Sequence, residues 1–382
     1  MEFTLTAKEA EFRDEFASWL WAHKPGVAPP PGPARTRFLR DWQRQLHEGR
    51  WVGLNYPAEY GGRDAGIVEM MLFYEELAKQ RAPDIIGLVN VRMLGPVLLS
   101  YGTEEQKRRY IPPLLAADEM WCQGFSEPQS GSDLASLRTR GRIDGDDIII
   151  SGQKIWTTLA DVADWCFALV RTGTQDERHR GLTFLLVPMG APGITVRPLR
   201  QITGEAEFNE VFFDDVRIPR ANVVGGINAG WKVASALLGH ERGATFFGTQ
   251  IRWRRTLDDL EELLRLGDRC EQLDIARLRL RLDAMHYTAL RALSVSARGG
   301  PPGPESSVLK LLRGRFQQDM YKLGTTAQGW PAGLTREAED AIDRARWQFG
   351  YMNSRMATIA AGTTEIQYNI LAEKVLKLPK GR

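Results

Sequence analysis

The chain has 382 residues, of which 43% are hydrophobic and 26% charged, a composition typical of a folded globular protein with two or three domains. Its formal net charge is +2, from 50 basic and 48 acidic residues, and it contains no basic field of the kind that binds nucleic acid. The three scattered cysteines lack metal-ligand spacing, and we find neither a signal-peptide core nor an apolar run of roughly 18 residues, so we expect a cytoplasmic protein without a membrane span.

Residues 1–120 predict an all-helical domain. Its first helix begins at a capping-box pattern, Thr6 followed by Glu9, and ends before Lys24, where Pro and Gly follow. Further helices are predicted over residues 37–49, 68–79, 84–101 and 104–117. Thr103 and Gln106 form a second capping pattern at the start of the last of these.

Residues 121–227 have the composition and periodicity of short β-strands. The predicted strands cover residues 148–151, 165–171, 182–188, 194–199 and 210–216, with Pro, Gly and charged turns between them. We expect a small β-barrel or sandwich. The turn at 143–147 feeds an apolar, β-branched run and predicts a hairpin that brings its two flanking segments together at one end of the sheet.

Residues 228–382 return to helical periodicity. Helices are predicted over residues 252–265, 272–298, 306–324, 335–350 and 364–378. The fold class predicted for the chain is therefore α+β and multidomain, mainly α, with an N-terminal helical domain, a central β-barrel and a C-terminal helical bundle.

The two segments that flank the predicted hairpin carry the chemistry. The first, residues 123–135, is a loop rich in Ser and Gly whose backbone N–H groups and hydroxyls could bind a polar ligand edge. The second, residues 152–158, offers an indole flanked by hydroxyls, which suits one face and the rim of a flat ring. The alternative interpretation is an ordinary Ser/Gly loop beside a core Trp.

Together the two segments resemble the flavin loops of the acyl-CoA dehydrogenase family. The first reads Gly-Phe-Ser-Glu-Pro-x-x-Gly-Ser-Asp from Gly124, and the second reads Gly-Gln-Lys-x-Trp-Thr-Thr from Gly152. The resemblance continues at residues 209–219, 228–231, 240–242 and 362–367, and it is weak only between about residues 252 and 348. It implies the same helix–barrel–helix fold, an FAD cofactor and an activity in fatty acid and other lipid metabolism.

By this resemblance, an acyl-CoA thioester loses its α-proton to a carboxylate and its β-hydrogen as hydride to flavin N5. The implied flavin contacts are Gln123, Phe125, Ser126, Gly131, Trp156, Thr158, Thr363 and Glu365. The implied substrate contacts are Ser132 and Arg242. Among the flavin contacts, Thr158 is expected near N5 and Ser126 near the pyrimidine edge, while Glu127 and Asp133 are expected to shape the loop.

The identity of the base departs from the commonest family pattern. Many relatives have a Glu directly before the Gly-Thr that opens the last helix, but this chain has Ala361 there. A subset has its Glu in the helix after the β-domain, just before an Arg, and that position is Glu241. Glu241 falls on an apolar stripe with Ala234, Leu237 and Leu238, and burial would raise its pKa toward that of a useful base. The alternative is a helix Glu in a structural ion pair.

Partners and alternatives follow from the same resemblance. We expect an acyl-CoA substrate, an electron-transferring flavoprotein as acceptor, and a homodimer or homotetramer, with a heterotetramer as the alternative. The family's Arg-x-x-Phe-Gly-x-Pro-Ile segment, which holds the FAD diphosphate across an interface, is absent from residues 263–273. Competing functions are a flavin oxidase or N-hydroxylating monooxygenase, and a non-catalytic partner subunit. The position of the base resembles that of members acting on branched or bulky acyl groups, including sterol side chains.

Overall fold

The computed structural model describes residues 4–240, 244–264, 269–300 and 303–379. In chain order the elements are α1 (Ala7–His23), α2 (Pro33–Glu48), α3 (Ile67–Lys79), α4 (Gly95–Tyr101), α5 (Glu104–Ala116), β1 (Trp121–Gly124), β2 (Arg140–Asp144), β3 (Asp147–Thr158), β4 (Trp165–Arg171), β5 (Leu182–Pro188), β6 (Ile194–Leu199), β7 (Phe208–Pro219), β8 (Val223–Val224), α6 (Gly230–His240), α7 (Thr245–Leu263), α8 (Arg269–Ser296), α9 (Glu305–Thr326), α10 (Arg346–Asn353) and α11 (Thr364–Ile370). The order of helices, strands and helices confirms the predicted fold class.

The chain divides into two compact units that are each discontinuous in sequence. One contains Met1–His23, Gly66–Ala82 and Gly243–Arg382, and the other contains Lys24–Ala65 and Pro83–Arg242. The continuous domains proposed from the sequence, with boundaries near 120 and 227, stay a prediction.

In the first unit α3 packs against α7, and α8 packs against α9. Gly248 on α7 lies so close to α3 that an added Cβ would stand 2.5 Å from the Tyr74 carbonyl oxygen. A second core of the unit lies among α7, α8 and α9 around the buried rings of Trp253 and Phe316 and the side chain of Leu282. These contacts explain why helices far apart in sequence form one body.

The second unit is built on one eight-stranded sheet with the order β6-β7-β3-β2-β4-β5-β8, and β1 pairs in parallel with β4. Residues 166–171 of β4 are all buried, as are residues 182–187 of β5, which explains their continuous apolar sequence. The start of α6 packs directly on β5, since a Cβ at Gly230 would meet the Phe184 nitrogen at 2.6 Å. The predicted hairpin is confirmed as β2–β3, with Asp144 opposite Asp147.

Helix α5 is placed by the capping box that its sequence predicts. Thr103 Oγ1 accepts from the Gln106 N–H at 3.2 Å, and Gln106 Oε1 accepts from the Thr103 N–H at 3.1 Å. The Gln106 amide also donates to the carbonyls of Ala221 and Val223, at 2.8 and 2.9 Å. One side chain therefore starts the helix and ties it to the chain that leaves the sheet.

The helix predicted over residues 84–101 is wrong in its first four residues, because helical backbone begins only at residue 88. A single wide turn over Asn90–Leu94 then leads into α4. The Tyr56 hydroxyl donates to the Val91 carbonyl at 2.5 Å, while the Gly95 N–H bonds to the carbonyl of Asn90. A side chain distant in sequence thus takes the carbonyl that an α-helix would have used, which widens the turn.

The helix predicted over residues 335–350 is also wrong, because α10 begins only at Arg346. Asp343, Arg344 and Ala345 have left-handed backbone angles, with φ of 50°, 53° and 55°, and three such residues interrupt any right-handed helix. The Trp347 indole is fully buried, and its N–H donates to the Asp343 carboxylate at 3.2 Å. The helix predicted over 364–378 ends at Ile370 in a wide turn.

Candidate functional site

The two motif segments lie side by side, as the predicted hairpin requires. The Ile155 N–H donates to the Ser126 carbonyl at 2.9 Å. The Lys154 ammonium donates to the Phe125 carbonyl at 3.1 Å and forms an ion pair with Glu127 at 2.9 Å. Three bonds therefore join the Ser-rich loop to the strand that carries the indole.

The ion pair between Glu127 and Lys154 is buried, with 4% and 0% of the two residues exposed. Burial by itself would raise the pKa of the Glu127 carboxyl. Lys154 outweighs it, together with the N–H groups of Arg138 and Thr139 at 2.6 and 2.8 Å, so the pKa lies below the ordinary value. Burial lowers the pKa of the Lys154 ammonium, which Glu127 opposes. The pair is fully hydrogen-bonded and defines the shape of the loop, as proposed for Glu127.

Trp156 is displayed by a β-bulge. Lys154 pairs with Val211 and Thr157 pairs with Asn209, so β3 has one residue more than β7 between these points. The Trp156 backbone is left-handed, with φ 59°, and such a conformation costs a bulky residue about 1–3 kcal/mol. The side chain is 58% exposed, with an edge-on contact to the Phe208 ring at 6.0 Å between centroids. The fold thus holds a strained, exposed indole beside the Ser-rich loop.

The groups around Trp156 fit the ring half of a flavin. Thr158 is exposed at the end of β3, Ser126 is half-buried, and Gly131 and Ser132 are exposed on the loop. A Cβ at Gly131 would meet nothing within 4 Å, so a ligand could approach the backbone there. The hydroxyls can hydrogen-bond to the polar rim of a fused ring, and the exposed indole can pack against its apolar face.

The Phe125 side chain is not part of that surface. It is buried, and its ring meets those of Phe167 and Phe184 edge-on, each at 6.0 Å between centroids. Any contact of Phe125 with a bound flavin would therefore come from its backbone. Gln123 is half-buried on β1.

Thr363 and Glu365 belong to the other compact unit. Thr363 is the N-cap of α11, and its hydroxyl accepts from the Ile366 N–H at 3.2 Å. Glu365 is exposed in the first turn. Ala361, at the position where many relatives have their base, is exposed and left-handed with φ 57°. The site roles given to Thr363 and Glu365 stay predictions.

The predicted base Glu241 and its neighbour Arg242 lie outside the described residues. The helix that leads to them is described as far as His240. Of the apolar stripe expected on this helix, Ala234 and Leu237 are fully buried, while Leu238 is 37% exposed, so its placement in the buried stripe was wrong.

Sequence reasoning missed two buried charges that organise this region. Lys154 lies in the second motif segment, two residues before Trp156. The opposite charge of Glu127 in the first segment could have indicated that the two side chains form an ion pair. Arg171 ends the apolar run of β4, and a charge closing such a run was a signal that it has a specific partner. Thr157 and Asn209 were missed too. Both are fully buried, and Thr157 Oγ1 and Asn209 Oδ1 have no hydrogen-bond partner.

The described residues contain neither a metal-binding cluster of His, Cys, Asp and Glu nor a helix that could span a membrane. In the part of the chain that the structure covers, no group of three His, Cys, Asp or Glu side chains could hold a metal ion. Among the same residues, no helix has the length and apolar character needed to cross a membrane.

Three family models match the chain in succession. The acyl-CoA dehydrogenase N-terminal domain matches residues 6–118, the middle domain matches residues 122–216 and the C-terminal domain matches residues 228–376. The family implies a flavin cofactor. The site described above lies in the part of the chain matched by the middle domain.

The chain is similar over nearly its full length to named relatives. It is 40% identical to acyl-CoA dehydrogenase IpdE1 of Mycobacterium tuberculosis, covering 97% of this chain and 98% of the relative, and 40% identical to IpdE1 of Mycolicibacterium smegmatis with the same coverage. Among solved structures, it superposes on the Tcur3481-Tcur3483 steroid ACAD with a TM-score of 0.86 at 27% identity, with full coverage of both chains. The ChsE4-ChsE5 complex from Mycobacterium tuberculosis matches with a TM-score of 0.84 at 28% identity, again over both whole chains.

The predicted family is confirmed, and with it an oxidoreductase activity. Three domain models cover the chain in the family's order, and relatives of 40% identity cover almost all of it. The two loops that carried the resemblance are joined in the structure by the Glu127–Lys154 pair. The chain belongs to the acyl-CoA dehydrogenase family.

Proposed function

We propose that the protein oxidises the α,β bond of an acyl-CoA thioester to the trans-2-enoyl thioester, with FAD as its cofactor. The observation that carries this proposal is the exposed Trp156, held left-handed by a bulge beside the Ser126 loop. A strained, exposed aromatic side chain at a rigid strand end is expected where a ligand covers it. When bound, the flavin would accept the β-hydrogen as hydride.

In this proposal the chain supplies a general base, aligns the thioester with the flavin and excludes water from the site. In this proposal, the Glu241 carboxylate takes the α-proton, and Arg242 orients that carboxylate or binds substrate. Two features support Glu241: Ala361 cannot accept a proton, and the helix leading to residue 241 buries Ala234 and Leu237 on one face. A general base near neutral pH needs a carboxyl pKa above the ordinary value, and burial is one way to raise it.

The remaining residues divide between cofactor and substrate. Trp156 would lie against the ring, with the hydroxyls of Thr158 and Ser126 at its polar rim, and Ser132 would contact the acyl-CoA chain. The support is that all four belong to the part of the unit organised by Glu127 and Lys154.

We infer that the acyl group is bulky, with a steroid-derived thioester as the first candidate. The support is the 27% identical structure named a steroid ACAD, together with the placement of the base before an Arg. A heteromeric assembly is the corresponding proposal for the oligomer, because a 28% identical structure is the ChsE4-ChsE5 complex. The electron acceptor proposed is an electron-transferring flavoprotein.

Anaerobic bleaching of the bound flavin tests the reaction. Purified protein is mixed without oxygen with acyl-CoAs that differ in length and branching, including thioesters of steroid side chains. We expect the flavin absorption to bleach fastest with a bulky thioester and the enoyl product to form in equal amount. A flavin that no thioester bleaches contradicts the proposed dehydrogenation, and rapid reoxidation by air would favour an oxidase or monooxygenase.

The Glu241→Gln variant tests the base. We expect it to keep its flavin and to lose bleaching by at least a thousandfold, because a carboxamide cannot accept the α-proton. Glu339→Gln is the matched control, since Glu339 is an exposed carboxylate. Unimpaired bleaching by Glu241→Gln would exclude Glu241 as base. Wild-type protein that holds no flavin would favour a non-catalytic partner subunit.

A further inference from the structure

Arg171 is a buried cation whose side chain donates to four backbone carbonyls. It ends β4 and is 5% exposed. Its Nε donates to the Leu137 carbonyl at 2.9 Å and its Nη2 to the Ala135 carbonyl at 2.7 Å. Its Nη1 donates to the carbonyls of Thr174 and Arg178, at 3.0 and 3.1 Å. One planar guanidinium therefore joins two loops that are far apart in sequence.

The first of these loops is the one that carries Ser132. Its segment 135–139 is held from both sides, because Arg171 takes the carbonyls of residues 135 and 137 while Glu127 takes the N–H groups of residues 138 and 139. We name residues 135–139 the clamped segment. A buried cation and a buried anion thus hold consecutive residues of one backbone stretch.

The second loop connects β4 to β5 and makes further bonds to the first. Arg178 forms an ion pair with Asp133 at 2.7 Å. The Gln175 amide donates to the Ser136 carbonyl at 3.0 Å. These two bonds are exposed and each is weak, whereas the Arg171 bonds are buried. The Ser132 loop is therefore held mainly by buried bonds, from Arg171 on one side and from Glu127 on the other.

We propose that Arg171 is a positioning residue for the thioester: it sets substrate affinity by holding the clamped segment and the Ser132 loop, without touching substrate or flavin. This rests on the proposed function, in which Ser132 contacts the acyl-CoA chain. A loop that is not held in place loses conformational entropy when substrate binds. This loss weakens substrate binding and therefore raises KM. If the contact with Ser132 stabilises the bound substrate and the transition state equally, weakening it leaves kcat unchanged.

Arg171→Lys is the variant of choice, because it keeps the charge and most of the length. A lysine has three donors on one atom and cannot reach four carbonyls arranged around a planar fork. The matched control is Arg255→Lys. Arg255 is half-buried on α7, and its two Nη atoms donate to the carbonyls of Ala78 and Lys79 at the end of α3. Arg255 thus makes the same kind of bond as Arg171, from a guanidinium to backbone carbonyls, but its partners are not part of the Ser132 loop.

Two measurements are made on flavin-loaded protein. Hydrogen exchange followed by mass spectrometry reports on the amides of residues 136–139. Steady-state kinetics uses the CoA thioester that bleaches the wild type fastest. For Arg171→Lys we expect at least tenfold faster exchange in residues 136–139 and a KM raised about fivefold or more, with kcat within twofold. Arg255→Lys should leave both unchanged.

Three results would overturn the proposal: unchanged exchange in Arg171→Lys, faster exchange without a change in KM, or an equal rise in KM in Arg255→Lys. If Arg171→Lys does not fold, the decision passes to hydrogen exchange in the wild type, where residues 136–139 should already be protected before thioester is added; protection that arises only when thioester binds is the overturning result. Exchange is measured on resting protein. A chain that oxidises no thioester would therefore fail the proposed function while the exchange result still reported on Arg171.

Discussion

Buried charges decide the local structure of the candidate site. Lys154 is fully buried and donates to one carboxylate and one carbonyl, and Glu127 accepts from this ammonium and from two backbone N–H groups. Each charge therefore replaces its lost hydration with several fixed partners. A buried pair of this kind is weak evidence for net stability, but removal of one partner leaves the other unpaired.

Lys154→Met should destabilise the fold strongly. The Glu127 carboxylate would stay buried without its cation, and breaking a buried pair in this way costs about 3–5 kcal/mol. Denaturation with urea measures the loss. Lys107→Met is the control, since its partner Glu104 is 63% exposed and water can replace the lost cation, and such pairs contribute about 0–1 kcal/mol. Equal losses in the two variants would contradict the role given to the buried pair.

At the scale of the element, the sequence predicts what depends on near neighbours. The Thr103–Gln106 capping box and the β2–β3 hairpin are correct because their partners lie within a few residues. The approach of the two motif segments follows from that hairpin. Lys154 and Arg171 were missed because the carboxylate partner of Lys154 lies 27 residues away and two of the four carbonyl partners of Arg171 lie 34 and 36 residues away, where only the fold brings them together. The roles of Glu241 and Arg242 stay predictions.

The wide turn before α4 shows the same limit for a helix. The sequence from residue 84 to residue 101 has helical periodicity, but the Tyr56 hydroxyl takes the Val91 carbonyl. A Cβ at Gly95 would stand 1.7 Å from the Tyr56 oxygen, so only glycine leaves room for this hydroxyl. Tyr56 is fully buried and precedes the turn by 35 residues, and no local pattern could indicate it.

Tyr56→Phe should therefore destabilise the unit through one lost hydrogen bond. The Val91 carbonyl would remain buried without its donor, which costs about 1–3 kcal/mol. Tyr60→Phe is the matched control. Its hydroxyl donates to Glu104 at 2.9 Å, and that carboxylate is 63% exposed, so water can replace the hydroxyl. Urea denaturation that finds Tyr60→Phe equally costly would contradict the explanation of the turn.

At the scale of the whole molecule, distant segments combine into each compact unit. Met1–His23 and Gly66–Ala82 join the C-terminal helices, and the contacts of Tyr74 with Gly248 and of Arg255 with the end of α3 explain why. The sequence predicts the helices themselves but not which helices pack together. Several helices have similar apolar faces, and their periodicity does not specify the packing partner. Because protonation is linked to folding, a pKa that differs between the folded and the unfolded chain changes the unfolding free energy with pH.

The pH dependence of unfolding should report on Glu127. Its pKa is lowered in the folded state, so the unfolded chain binds one proton more between the unfolded pKa, about 4.3, and the lower folded value. The stability that Glu127 contributes is present above that unfolded pKa and is lost as pH falls through the folded pKa. One such proton gives a slope of about 1.4 kcal/mol per pH unit in that window.

Glu127→Gln isolates this contribution, because it removes the titrating group and keeps the shape of the side chain, with one carbonyl oxygen to accept from the N–H group of either Arg138 or Thr139. Its unfolding free energy should be lower than that of the wild type at pH 7, and it should fall less steeply with acid below pH about 4.3. Glu339→Gln, at an exposed carboxylate, should follow the wild-type curve. Parallel acid slopes for wild type and Glu127→Gln would mean that the folded pKa of Glu127 is not lowered. The ion pair with Lys154 would then not stabilise the charged carboxylate, and the loop beside Trp156 would be held by its backbone bonds.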